Sequence, residues 1–164
     1  MKRITALHGL GICLLAGTIA AATIVPSHFE ARTSGARLVV LNGPAEFGNV
    51  PTQWEKGSFV LTLGARSESG AVVFTRQNGT RPSPGVYQVG GASDEISALV
   101  VIGSPSHPVG AYRAQAGTLT IRRSSDNYIA GEFALETRGY EVSDPASEDR
   151  PLTVKGSFSA TSAR

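Results

Sequence analysis

Apolar and polar residues alternate with a period of two through most of this chain. After residue 25 no window of eleven or more residues carries the three-and-four spacing of an amphipathic helix. The clearest alternations are Phe59-x-Leu61-x-Leu63, Ile129-x-Gly131-x-Phe133-x-Leu135 and Val154-x-Gly156-x-Phe158-x-Ala160. Each predicts a strand with one buried and one solvated face. In the last two, aliphatic residue, glycine and aromatic ring share a face. The glycine leaves a gap that a neighbouring ring can cover, and it lets a bent strand coil around a small core. Shorter runs predict further strands at Arg37–Leu41, Ala71–Arg76, Val86–Val89, Ala111–Ala116 and Thr118–Arg122. Ile96–Ile102, apolar almost throughout, reads as a central strand buried on both faces. Gly-, Pro-, Asn- and Ser-rich breaks separate these runs, among them Asn42-Gly43-Pro44, Asn78-Gly79 and Ser104-Pro105-Ser106-His107-Pro108. The stretch 45–56, with Pro51 and Trp54, reads as a loop with a short strand or turn.

Eight to nine strands in roughly 130 residues bury their apolar faces only in two layers or a closed ring. The expectation is therefore all-β: a single antiparallel β-sandwich or flattened β-barrel of eight to nine strands, mostly in meander order. Residues 1–22 read as a signal peptide. Lys2 and Arg3 precede a long apolar stretch, and Ala20-Ala21-Ala22 supplies a small-x-small cleavage site. An uncleaved anchor is the alternative. Residues 23–35 show no sustained period and read as a flexible tether, leaving 36–164 as the β-domain. The implied address is periplasmic or extracellular, with no integral membrane span after cleavage.

Charge and chemistry narrow the functions. The chain has 15 basic and 13 acidic residues, and cleavage after Ala22 removes two of the basic ones. A neutral, mixed surface lacks the clustered positive field that nucleic-acid binding requires. The single cysteine, Cys13, lies in the N-terminal apolar stretch, so disulfides and thiolate chemistry are not expected of the domain. No Gly-x-Ser-x-Gly elbow or metal-ligand spacing occurs, and no cofactor or metal is implied. His107 stands in a proline-bounded loop. Glu132 and Glu136 would share a strand face about 13 Å apart, beyond the ~5–9.5 Å of glycosidase carboxylates. Asp144, Glu148 and Asp149 lack the regular spacing of a calcium loop. The residues best suited to line a ligand site are the amphipathic aromatics Trp54, Tyr87 and Tyr112.

Tyr112-Arg113-Ala114-Gln115-Ala116-Gly117-Thr118-Leu119-Thr120-Ile121, then Ile129-Ala130-Gly131-Glu132-Phe133 and Val154-Lys155-Gly156-Ser157-Phe158, form a C-terminal signature. It resembles that of small exported bacterial β-proteins of unknown function, many of them lipoproteins. Pro84-Gly85-Val86-Tyr87 is similar as well, and the likeness covers residues 57–160. The resemblance implies export and an all-β fold, and it supplies no catalytic residues. The chain departs from the lipoprotein members in lacking a correctly placed lipid-bearing cysteine. The expected role is a non-catalytic domain binding a ligand or an envelope protein. The alternatives are an enzyme whose site is assembled from distant strands, or an inhibitor-like module presenting a loop.

Overall fold

The computed structural model describes residues 26–50, 57–64, 66–77, 79–91, 96–144 and 149–163. These residues form ten strands and no helix. The strands are β1 (His28–Gly35), β2 (Val40–Gly43), β3 (Ala45–Val50), β4 (Ser58–Leu63), β5 (Gly70–Arg76), β6 (Gly85–Gln88), β7 (Ile96–Ser104), β8 (His107–Ser124), β9 (Tyr128–Glu141) and β10 (Arg150–Ser162). The fold is all-β, as the alternation predicts. The signal-peptide stretch 1–22 and Trp54 lie outside the described residues.

All ten strands belong to one sheet. Its pairings run from β10 through β3, β4, β5, β7, β8 and β9 back to β10, so the sheet closes as a flattened barrel. Every ladder is antiparallel except the closing one, a short parallel match of Glu46 with Thr161 and Phe47 with Ser162. Most of that edge of β10 is taken by β1, which pairs with it from His28–Ser159 to Gly35–Leu152. The edge strands β2 and β6 flank the ring, on β1 and β8 respectively.

The inner faces meet in one apolar core. Phe133 on β9 joins its walls: its ring stacks 6.3 Å from Phe29 of β1 and meets Phe74 of β5 edge-on at 5.4 Å. The two glycines of the predicted β9 and β10 pattern face this core, and each lies opposite a ring on the partner strand. Gly131 pairs with Phe158, and Gly156 pairs with Phe133. The close approach leaves no room for a side chain. A Cβ on Gly131 would lie 2.0 Å from the Thr120 carbonyl oxygen, and one on Gly156 would lie 2.5 Å from the Ala31 Cβ.

Several sequence expectations need correction. The stretch read as a tether holds strand β1, whose inward residues Phe29, Ala31 and Thr33 are buried. Its alternation is hidden because Ala31 is small and Thr33 polar. Thr33 is tolerated inside because its hydroxyl donates to the Arg37 carbonyl at 2.7 Å and accepts from the Val39 N–H at 2.8 Å. The following strand begins at Val40 rather than Arg37, because residues 36–39 make the turn back. Within 45–56 the short strand expected there is Ala45–Val50, and with β1 it takes the count to ten. Finally, β7 is buried on one face only: Ile96, Ala98, Val100 and Ile102 point inward while Leu99 is 44% exposed.

The two short strands expected either side of Gly117 are one strand, β8, with a bulge between Ala114 and Ala116. The extra residue reverses the alternation. Tyr112 and Ala114 are buried before it and Leu119 and Ile121 after it, while Ala116 is exposed.

Replacing either core glycine tests this packing. Gly131→Val and Gly156→Val should each lower the unfolding free energy by more than ~1 kcal/mol through overpacking. Chemical-denaturation midpoints equal to wild type would show that the strands do not approach as described.

Candidate functional site

Two regions concentrate polar side chains, and they differ in access to solvent. The first seals one end of the barrel. Glu141, the last residue of β9, is buried, and Arg37 from the β1–β2 turn grips its carboxylate with two bonds. Nε donates to Oε1 and Nη2 to Oε2, each at 3.2 Å. Arg150 at the start of β10 adds a second guanidinium 3.8 Å from Oε2, and itself pairs with Asp144 at 2.8 Å. The Tyr112 hydroxyl lies 3.5 Å from Oε1.

These contacts separate the protonation equilibria. The bond from Arg37 holds Glu141 below the usual carboxylate range, and Arg37 is raised in return. Tyr112 is raised, first by burial and then by the Glu141 charge. A carboxylate locked between two guanidiniums is a poor proton donor, and the cluster lines none of the hollows on the surface described below. Its chemistry is that of a clasp tying the β1–β2 turn to the ends of β9 and β10.

The second region lies open on the outer face of β1, β10, β9 and β8. Cross-strand rows run Glu30–Ser157–Glu132 and Arg32–Lys155–Ala134, then Ser34–Thr153–Glu136. Ser157 and Thr153 are short, and around Lys155 between them lies a hollow of about 600 Å³ bordered by Glu30, Arg32 and Glu132. A second hollow of about 330 Å³ continues it over β9 and β8, and a third of about 170 Å³ leads on to Gln115 and Arg138. Thr153 lines all three and Lys155 the first two, so they form one elongated groove. Its described lining contains no aromatic ring.

The groove was not foreseen from the sequence, because its residues come from positions 30 to 157 and share no local motif. The aromatic candidates lie elsewhere. Tyr112 faces inward and is fully buried, which corrects its assignment as a ligand-lining residue: the phase of the alternation ahead of the bulge turns it into the core. Tyr87 is half-buried on the edge strand β6. Its hydroxyl donates to the Ser83 carbonyl at 2.8 Å, and the Arg76 guanidinium lies 5.5 Å from its ring centre. It pairs with Leu119, seven residues along β8 from Tyr112, so the two tyrosines are roughly 20 Å apart and share no site.

The remaining candidates are engaged in local structure. His107 Nδ1 is 3.0 Å from Ser106 Oγ, within an exposed β7–β8 turn. No carboxylate among the described residues bonds to this pair, so the orienting member of a catalytic triad is missing. Asp144 pairs with Arg150, and Asp149 with Arg138 at 2.7 Å. Glu148 lies outside the described residues. Among the described residues no group of three or more His, Cys, Asp or Glu side chains is placed to hold a metal. The described residues contain no helix long and apolar enough to cross a membrane.

No protein-family model, curated protein or solved structure matches this chain.

The clasp carries a pH signature. Because Glu141 is held below its usual value of 4.5, its contribution to stability is complete above that pH. It is lost as pH falls through the lowered value. Glu141→Gln should destabilise the domain at neutral pH and show a smaller further loss than wild type on acidification. Parallel wild-type and variant curves of unfolding free energy against pH would refute the clasp.

Proposed function

We propose that this chain is an exported, non-catalytic binding module whose ligand surface is the groove across β1, β10, β9 and β8. One observation carries the reading: three adjoining hollows that share Thr153 lie side by side on the sheet, bordered by charged and hydroxyl side chains and by small or apolar residues between them. Such a groove offers hydrogen bonds and charge at little reorganisation cost, because its residues sit on paired strands rather than on loops. The buried carboxylate of Glu141 is engaged by Arg37 and Arg150 and borders none of these hollows. That division supports recognition over catalysis.

Export is supported by the N-terminal pattern of residues 1–22 and by the likeness of the later strands to small exported bacterial β-proteins. Mass spectrometry of the intact protein from its own cells should find a chain beginning at Thr23. A chain beginning at Met1 would overturn the cleavage.

A second reading rests on Glu30 and Glu132, which flank Ser157 in one row of the groove about 10 Å apart, two strand spacings. In a hydrolase such a pair would act on a bond held between them. Here Glu132 is ion-paired with Arg122 at 2.8 Å and Glu30 lies 3.9 Å from Arg32, with both side chains about half exposed. That setting favours binding.

A bulky residue in the groove tests the main reading. Ser157→Trp projects from the outer face and should leave the melting temperature near that of wild type while abolishing retention of the co-purified ligand in native mass spectrometry. Equal retention by the variant, or a wild-type protein that carries nothing, would reject the groove as the ligand surface.

A further inference from the structure

We infer that the groove takes an extended peptide segment of mixed charge, with acidic and basic side chains two residues apart. The inference rests on the groove being the ligand surface and names what fills it. Lys155 and Arg32 face each other directly across β10 and β1. Like charges in that position repel, and among the described residues Lys155 makes no ion pair. An incoming carboxylate between the two cations relieves the repulsion.

The neighbouring rows carry the opposite sign: Glu30, 3.9 Å from Arg32, and Glu132, paired with Arg122, on one side, and Glu136 on the other. A purely acidic chain would meet these carboxylates, and a purely basic one would meet Lys155 and Arg32. Only a ligand carrying both signs matches the pattern. Its spacing is set by the sheet, because residues two apart on a strand are about 7 Å apart, and an extended peptide presents same-side residues at that same interval. The first hollow follows β1 from Glu30 to Ser34 and β10 from Thr153 to Ser157, so a linear chain laid along these strands crosses the rows in turn, and the absence of an aromatic ring from the described lining removes the stacking on which sugar recognition commonly relies.

The test uses the domain from residue 23 onward and fluorescent peptides of one composition. One repeats Glu-Ser-Lys-Ser; the other collects its Glu and Lys into separate blocks. At low salt the repeating peptide should bind about fivefold more tightly than the block peptide, a preference that salt removes. Lys155→Ser should weaken it about fivefold, and Arg66→Ser in the β4–β5 turn should leave it unchanged. Amide shifts in a nitrogen-15 spectrum should centre on Thr153, Lys155 and Ser157. Equal binding of the two peptides, no binding of either, or an unaffected Lys155→Ser variant overturns the inference. If peptide binding fails while Ser157→Trp still abolishes ligand retention, the peptide assignment alone is wrong. If both fail, the groove reading falls with it.

Discussion

The barrel depends on how closely β9 and β10 approach their neighbours at two glycines. Gly131 faces Phe158 and Gly156 faces Phe133 across the shared ladder. Where a side chain would begin, Gly131 has the Thr120 carbonyl and the edge of the Phe158 ring, and Gly156 has Ala31 of β1. With a Cβ at either position, the Thr120 carbonyl or Ala31 would have to move, and β8 or β1 with it. Phe133 in turn touches Phe29 and Phe74 on the opposite walls. One tight strand pair therefore positions a ring at the centre of the core. The coiling it permits lets β10 serve β1 along most of one edge and still reach β3 with its last residues.

What the sequence disclosed follows from the same physics. On β4, over Ile129–Leu135 of β9 and over Leu152–Phe158 of β10, large apolar residues occupy the inward positions or alternate with glycine, and their period is visible without a structure. On β1 the inward set is Phe29, Ala31 and Thr33, so only one of three positions announces itself. On β7 the difficulty is reversed: Leu99 and Val101 on the outer face are as apolar as the inner residues, and composition alone cannot separate the faces. β8 conceals a change of phase at its bulge: Tyr112 and Ala114 face inward ahead of it, and Ala116 is exposed beyond it.

The candidate site was less legible than the fold because its unit is a row across strands. Glu30, Ser157 and Glu132 become neighbours only when β1, β10 and β9 are in register. Amphipathic rings are common at binding sites, yet the ring of Tyr112 is core and that of Tyr87 lies beside Arg76 on an edge strand. Charge at alternate outer positions was readable as a solvated face. Its sign, changing from one row to the next, was not.

The two charged regions show how one sheet separates stability from recognition. Glu141 is removed from solvent and therefore must be satisfied, which Arg37 and Arg150 do from two chain turns. Satisfaction fixes the ends of β1, β9 and β10, but it leaves that carboxylate nothing to offer a ligand. Lys155 is hydrated and can remain without a partner at small cost. Its attraction to a ligand is correspondingly weak when taken singly. A surface built this way gains specificity only by presenting several such charges at fixed intervals, and strand pairing holds the intervals. The buried clasp and the open rows are thus successive consequences of one register: the ladders that bring Arg37 to Glu141 also hold Arg32 opposite Lys155.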